Sequence, residues 1–268
     1  MIALHARRSA ASIAAFRAQH PVRPIVLALT GTDLYGDIHR DKEAQRSLRL
    51  VDRFVVLQPL GVRELPEDLQ AKAMTIYQSV VRPAGRFAPR TDCFEVSVVG
   101  HLREVKDPFR TAAASRLLPP ASRISITHLG SALSPETEDL ALREQAENRR
   151  YHWLGDVPRW KSIRVIARSR LLVLSSEMEG GAHVVSEALA CGTPVLSTHI
   201  AGSIGLLGEK YPGYFPYGDT GKLAELLKRV EIDETFYSEL VACCRQRAPV
   251  TDPTHERASW TELLEEMM

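Results

Sequence analysis

Residues Leu171 to Ser197 read LLVLSSEMEGGAHVVSEALACGTPVLS, and this stretch limits the possible folds more than any other. The run Leu171-Leu172-Val173-Leu174 is short and wholly apolar, as in a strand buried on both faces. A polar loop follows, Ser175 to Gly181. His183 to Cys191 has a helical, small-residue pattern that closes at Gly192, with Pro194 just beyond. Val195-Leu196 opens another buried strand. Strand, Gly-rich loop, helix and strand make a βαβ unit of a parallel sheet. Ligands of open α/β sheets bind at the carboxyl ends of the strands, where this loop falls.

Two carboxylates stand out in it. Glu187 sits among Val184, Val185, Ala188, Leu189 and Ala190, in a helix with little polar surface. A carboxylate there is unfavourable unless it meets a hydrogen-bond donor or a ligand. Glu179 lies just ahead of Gly180-Gly181, so backbone N–H groups and a helix N-terminus open towards the same space. Such a place suits an anionic ligand such as a diphosphate.

Glu179 and Glu187, separated by seven residues, with Glu-Gly-Gly in the loop and Glu-Ala-Leu-Ala-Cys-Gly-Thr-Pro-Val after it, resemble the donor-site motif of family-4 glycosyltransferases of GT-B fold. The resemblance implies that Glu179 and the backbone amides after it, at Gly180, Gly181 and Ala182, hold the donor sugar. It implies that Glu187 holds the ribose hydroxyls of the nucleotide. The expected fold is therefore α/β and GT-B-like: two Rossmann-like domains with parallel sheets.

A chain of 268 residues can hold two domains with real cores. A formal net charge of +1 gives no reason to expect nucleic acid as a partner, and no apolar run approaches the length of a spanning helix. Cys93, Cys191, Cys243 and Cys244 are too few and too irregular for a disulfide framework or a zinc site, which fits a reducing, cytoplasmic setting. No metal and no cofactor is expected; a UDP-sugar would be a substrate.

Along the chain, residues 1 to about 80 read as βαβ units, with strands at Ile2–Leu4, Ile25–Leu29, Arg53–Leu57 and Met74–Tyr77. The segment Val81–Asp92, holding Pro83, Gly85 and Pro89, reads as a linker. A second α/β pattern starts at Phe94. Its helices are expected at Pro108–Leu117, Pro135–Arg149, Pro158–Ser169, Thr220–Val230 and Glu234–Arg245, and the glycine-bearing run His199–Gly205 reads either as a place of close backbone approach to a ligand or as a plain turn. The expected division is 1–85, 86–252 and a C-terminal helical segment 253–268. GT-B proteins often send such a helix back across the first domain. Compared with that family, the chain is expected to be N-terminally incomplete, since the family's first Gly-rich loop is absent.

Further candidate residues lie at other strand ends. Gly100-His101-Leu102-Arg103-Glu104-Val105-Lys106 matches the family's Gly-Arg-Leu-x-x-x-Lys at Lys106, with His101 in the Arg position and Arg103 two residues later. A Lys facing phosphates lowers the charge of a leaving diphosphate. Gly130-Ser131 and Trp153-Leu154-Gly155 resemble loops that hold the nucleotide base. In the first domain, His5-Ala6-Arg7-Arg8-Ser9 and Thr30-Gly31-Thr32-Asp33 offer positive charge and hydroxyls to an anion. These two stretches, with Val-Val-Leu-Gln-Pro-Leu-Gly and Ile-Tyr-Gln-Ser, are similar to the selenosugar synthases of selenoneine biosynthesis, which join selenophosphate to the sugar of a UDP-sugar.

The expected activity is sugar transfer from UDP-glucose or UDP-N-acetylglucosamine to selenophosphate. Catalytic roles are expected for Glu179, Lys106 and His5. Donor contacts are expected at Arg103, Lys106, Gly130, Glu179, Gly180, Gly181, Ala182 and Glu187, and acceptor contacts at His5, Arg7, Thr30, Gly31, Thr32 and Asp33. A transferase for a hydroxyl acceptor, and a non-catalytic sugar-nucleotide-binding protein, are the alternatives.

Overall fold

Short apolar runs alternate with amphipathic helices along the chain, and in the computed structural model, which describes residues 1–267, they form two wholly parallel sheets. Met268, the last residue of the expected C-terminal segment, lies outside the described residues.

The first half contains β1 (Ile2–Leu4), α1 (Ala10–Gln19), β2 (Val26–Ala28) and a π-helical turn at Asp33–Asp37 that runs into α2 (Ile38–Arg40). It continues with α3 (Lys42–Leu50), β3 (Arg53–Val56), a 3₁₀ turn at Pro59–Glu64, α4 (Glu67–Gln70) and β4 (Ala73–Thr75). The strands pair in the order β1-β2-β3-β4. One face packs Ala3, Leu27 and Phe54 against Ile13, Ala44 and Leu48. No helix or strand forms between Ile76 and Cys93.

The second half contains β5 (Phe94–Val99), a 3₁₀ turn at Glu104–Lys106, α5 (Arg110–Arg116), β6 (Ile124–Leu129), α6 (Pro135–Glu147), β7 (Tyr151–Trp153), α7 (Arg159–Arg168), β8 (Leu171–Leu174) and α8 (His183–Cys191). After these come β9 (Val195–Thr198), α9 (Ala201–Leu207), β10 (Tyr214–Phe215), α10 (Thr220–Ile232), α11 (Glu234–Arg247) and α12 (Pro253–Glu265). Local chemistry fixes several boundaries. Ser134 and Thr137 close a capping box at the start of α6, with Pro135 in the first turn. Gly192 takes a φ of 77° to stop α8.

The strand order β10-β9-β8-β5-β6-β7 positions the site. The chain builds outward from β5 to β6 and β7, then returns to lay β8 on the other side of β5, with Val96 opposite Leu171. The loops leaving β5 and β8 therefore diverge and open a crevice between them. The core of this half is continuous from Val96 and Ile126 to Leu172, Ala188, Leu196 and Leu227. Glu95, buried within β5, is held by Nε and Nη2 of Arg168, each at 2.9 Å, and by the Thr127 hydroxyl at 2.9 Å.

The run His199–Gly205 is a helix from Ala201 rather than a turn. Gly202 and Gly205 weaken the helical pattern in the sequence, but here they permit close packing. A Cβ at Gly202 would lie 2.2 Å from the Glu179 carbonyl, and one at Gly205 would lie 2.4 Å from Gln58 Oε1. The last helix, α12, returns to the first sheet. Its Leu263 is fully buried on the second face of that sheet, against Val26, Ala28, Val55 and Ile76.

Candidate active site

The loop after β5 is shaped by the 3₁₀ turn at Glu104–Lys106 and by Asp107 in the left-handed region, with a φ of 44°. Ser175, at the end of β8, donates its hydroxyl to the Lys106 and Asp107 carbonyls at 3.1 and 2.9 Å. The two loops of the crevice are thus joined, and Lys106 Nζ reaches Glu179 Oε1 at 2.5 Å. Ser176 donates to the same oxygen at 2.7 Å. An ammonium and a carboxylate in that arrangement offer one cation to a phosphate and one acceptor to a sugar hydroxyl.

The first domain closes on this loop. A Cβ at Gly180 would lie 1.7 Å from the Thr30 carbonyl, and one at Gly181 would lie 2.4 Å from Leu57 Cβ. These glycines are needed for the contact between the domains, in addition to freeing amides at the start of α8.

A cavity of about 210 Å³ lies between the domains, lined by His5, Arg8, Thr30, Gly31, Thr32, Arg103, Val105, Lys106, Met178 and Glu179. His5, Lys106 and Glu179, expected from sequence as the catalytic set, meet here. Arg103, Thr30, Gly31 and Thr32 are there as well. The Arg8 amide donates to His5 Nδ1 at 3.3 Å, which leaves the ring proton on Nε2, bonded to Thr32 Oγ1 at 3.1 Å. His5 itself has a φ of 69°, an uncommon conformation for a residue with a side chain.

Two acceptor candidates fall elsewhere. Arg7 does not line the cavity. Its Nε is drawn to Asp41 Oδ2 at 3.2 Å, the carboxylate that caps α3. Arg8, which the sequence places in the same basic stretch but not among the expected acceptor contacts, lines the cavity instead. Asp33 is fully buried, and its carboxylate accepts from the Ala6 and Thr30 amides and from the Thr30 hydroxyl. It ties the β1 and β2 loops together and has no face towards an acceptor.

The donor candidates divide similarly. Gly130 has a φ of 150° and backs directly onto Gly100, where a Cβ would lie 2.0 Å from the carbonyl. Its own carbonyl accepts from Trp153 Nε1 at 2.9 Å. His101 is engaged by the Ser131 amide at 3.1 Å. Ala182 is buried at the N-cap of α8. Glu187, only 5% exposed, does not line the cavity, and Arg159 on α7 supplies the donor that its apolar helix lacks, through Nε at 3.0 Å. Beneath the Gly100 loop lies a residue that the sequence did not flag. His128 Nε2 donates to the Gly100 carbonyl at 3.2 Å, and Nδ1 accepts from Tyr151 at 2.8 Å. Burial pushes its pKa down to about 4.

A second concavity of about 220 Å³ lies at the opposite ends of the strands, between Arg90, Arg123, Arg170, Glu231 and Glu234. Its charges are mixed, and it is on the wrong edge of the sheet for a ligand of an open α/β fold. Among the described residues, no group of His, Cys, Asp and Glu stands where it could hold a metal ion, and no helix is long and apolar enough to cross a membrane.

Residues 86–249, more than half of the chain, match the family described as glycosyl transferases group 1. The chain belongs to that family. Among curated proteins no match is found. Solved structures of the same fold include the following three. HepE of Anabaena, solved with UDP and glucose, is 18% identical with a TM-score of 0.74, over 97% of this chain and 76% of that one. A sucrose-phosphate synthase of Thermosynechococcus elongatus is 16% identical with a TM-score of 0.77, over 99% and 73%. A UDP-forming trehalose-phosphate synthase of Burkholderia vietnamiensis is 14% identical with a TM-score of 0.78, over 100% and 74%. At these identities the likeness concerns the fold, which is GT-B-like. This group 1 glycosyltransferase thus carries its polar cavity where the two parallel-sheet domains meet.

Proposed function

We propose that the enzyme transfers a hexosyl unit from UDP-glucose or UDP-N-acetylglucosamine to selenophosphate. The observation that carries this reading is the cavity between the domains, which gathers cations from both sides. Lys106 is paired with Glu179, whereas Arg8 and Arg103 form no ion pair among the described residues. Two guanidinium groups and the hydroxyl of Thr32 suit a small, highly charged oxyanion better than a neutral sugar alcohol. The likeness of the N-terminal stretches to selenosugar synthases, and the UDP-sugar ligands of the structural relative HepE, point the same way.

In this mechanism Lys106 and the amides at Gly180 to Ala182 take the diphosphate, and Glu179 orients the sugar. Glu187 takes the ribose hydroxyls, and Arg8 holds the acceptor's phosphoryl oxygens with Thr32, whose hydroxyl is turned towards them by the bond it accepts from His5. The selenium atom attacks the anomeric carbon. A carbon–selenium bond forms as the carbon–oxygen bond to the diphosphate breaks, and its electron pair leaves on UDP. A selenium anion needs little help from a base, so positioning and neutralisation of the leaving group supply the rate.

The test is anaerobic incubation with selenophosphate and each UDP-sugar, followed by mass spectrometry. The expected product carries the selenium isotope pattern and appears in step with UDP. Arg8→Ala should raise the KM for selenophosphate at least about tenfold with UDP affinity unchanged, while Arg7→Ala leaves both near wild type. Efficient transfer to a hydroxyl acceptor, with selenophosphate ignored, would overturn this reading.

A further inference from the structure

Two buried glutamates in this protein are paired with arginine, in different ways. Glu95 is 1% exposed and fully engaged, with Arg168 on both carboxylate oxygens and Thr127 on one of them. That is a fixed internal pair. Glu187 is bonded through Oε1 alone, to Arg159 Nε at 3.0 Å, and its Oε2 accepts no hydrogen bond among the described residues. The Arg159 side chain is 63% exposed and reaches over from the first residue of α7. Its second contact, from Nη2 to His183 Nε2 at 3.1 Å, is also exposed. That contact places the imidazole proton on Nδ1, which is buried without a partner. An exposed cation thus rests on one oxygen of a buried carboxylate, and its other tie among the described residues is the exposed contact with His183, whose Nε2 lies 3.7 Å from that oxygen.

We propose that Arg159 is a displaceable cap on Glu187, which the vicinal hydroxyls of a nucleoside diphosphate must lift before they can bond the carboxylate. The inference rests on the donor reading above, in which Glu187 faces the ribose. Two hydroxyls replace the guanidinium as donors and reach the free Oε2 as well. The net gain on binding is therefore the value of two hydroxyl bonds less that of the exposed ion pair. Arg159 sets the affinity for the nucleotide, holding it below what the carboxylate alone would give, which favours release of product UDP.

The experiment is a double-mutant cycle read by calorimetry with UDP as the probe. An exposed pair is worth little, so Arg159→Ala should tighten UDP binding only about three- to tenfold. In the Glu187→Gln background the same substitution should change nothing, because the neutral amide needs no cap. Arg159→Met, which keeps the apolar stem, should behave like Arg159→Ala and serves if the alanine variant melts early. Weaker UDP binding in Arg159→Ala, or the same effect in both backgrounds, overturns the cap. If wild-type protein binds no UDP at millimolar concentration, the donor reading fails and the cap with it. If wild type binds UDP and Arg159→Ala does not alter the affinity, the cap alone fails.

Discussion

A Gly180→Ala substitution separates two roles that the Gly-Gly loop combines, the amide offered to a phosphate and the contact between the domains. Alanine keeps the N–H in place, so UDP affinity should stay within about threefold of wild type. The added methyl would instead lie 1.7 Å from the Thr30 carbonyl oxygen and 2.3 Å from its carbon. Bringing that oxygen out to 3.0 Å requires roughly 1.3 Å of separation between the loops, because both are packed backbone that cannot yield separately. Thr30 and Thr32 line the acceptor side of the cavity, so the separation moves acceptor from donor. A misplacement of about 1 Å costs on the order of 100-fold in rate. Turnover followed by UDP release, UDP titration by calorimetry and the melting temperature together form the assay. Gly31→Ala provides a graded control: its methyl would meet the Gly180 amide nitrogen at 3.1 Å, a tight but adjustable contact, and its loss of turnover should be smaller. Wild-type turnover in Gly180→Ala would refute the argument that closure of these loops sets the reacting distance.

Lys106→Ala should weaken UDP about 10- to 100-fold, the loss of one charged hydrogen bond worth ~1.5–3 kcal/mol, and calorimetry giving wild-type affinity would remove Lys106 from the diphosphate site. His128 gives a pH prediction, since burial lowers its pKa from 6.5 to about 4. Below 6.5 the unfolded chain takes up a proton that the folded protein refuses until about 4, so the stability gained from a neutral His128 is intact above 6.5 and is lost as pH falls towards 4. The loss reaches up to roughly 3 kcal/mol, and His128→Gln should flatten the slope of urea-derived stability across this window; an unchanged slope would exclude His128 as its source. Leu263→Ala removes the one fully buried side chain of α12 and should destabilise the protein by ~2–5 kcal/mol in denaturant melts, with a smaller value showing that α12 is loosely held.

Some of this site was visible before any coordinates. The carboxylate at Glu187 was marked by its apolar helix, and Lys106 and Glu179 by their places at strand ends. The partner of Glu187 was not visible, because Arg159 is an exposed arginine at a helix start, and that says nothing of where its guanidinium points. Arg7 and Arg8 could not be told apart by pattern. They follow His5 in a tight turn with positive φ, where neither strand nor helix periodicity assigns a direction. Asp33 looked like an acceptor ligand since it follows a strand, yet it is consumed by three bonds that staple neighbouring loops. The helix at Ala201–Leu207 was hidden by its own glycines, which serve tertiary packing at the expense of local propensity. His128 was unreadable because a histidine in a strand has no periodic signature.

The return of α12 to the first sheet has a consequence for the order of folding. Val26, Ala28, Val55 and Ile76 leave the ribosome long before Leu263, and their face of the sheet has its apolar cover only once that last helix arrives. The Ser79 amide likewise waits for Glu256, and Arg53 for Glu266. Domains commonly fold in the order in which they are made. Here the four-stranded sheet is made before the six-stranded one yet is covered after it, and until α12 emerges this apolar face of its strands is open to wrong partners.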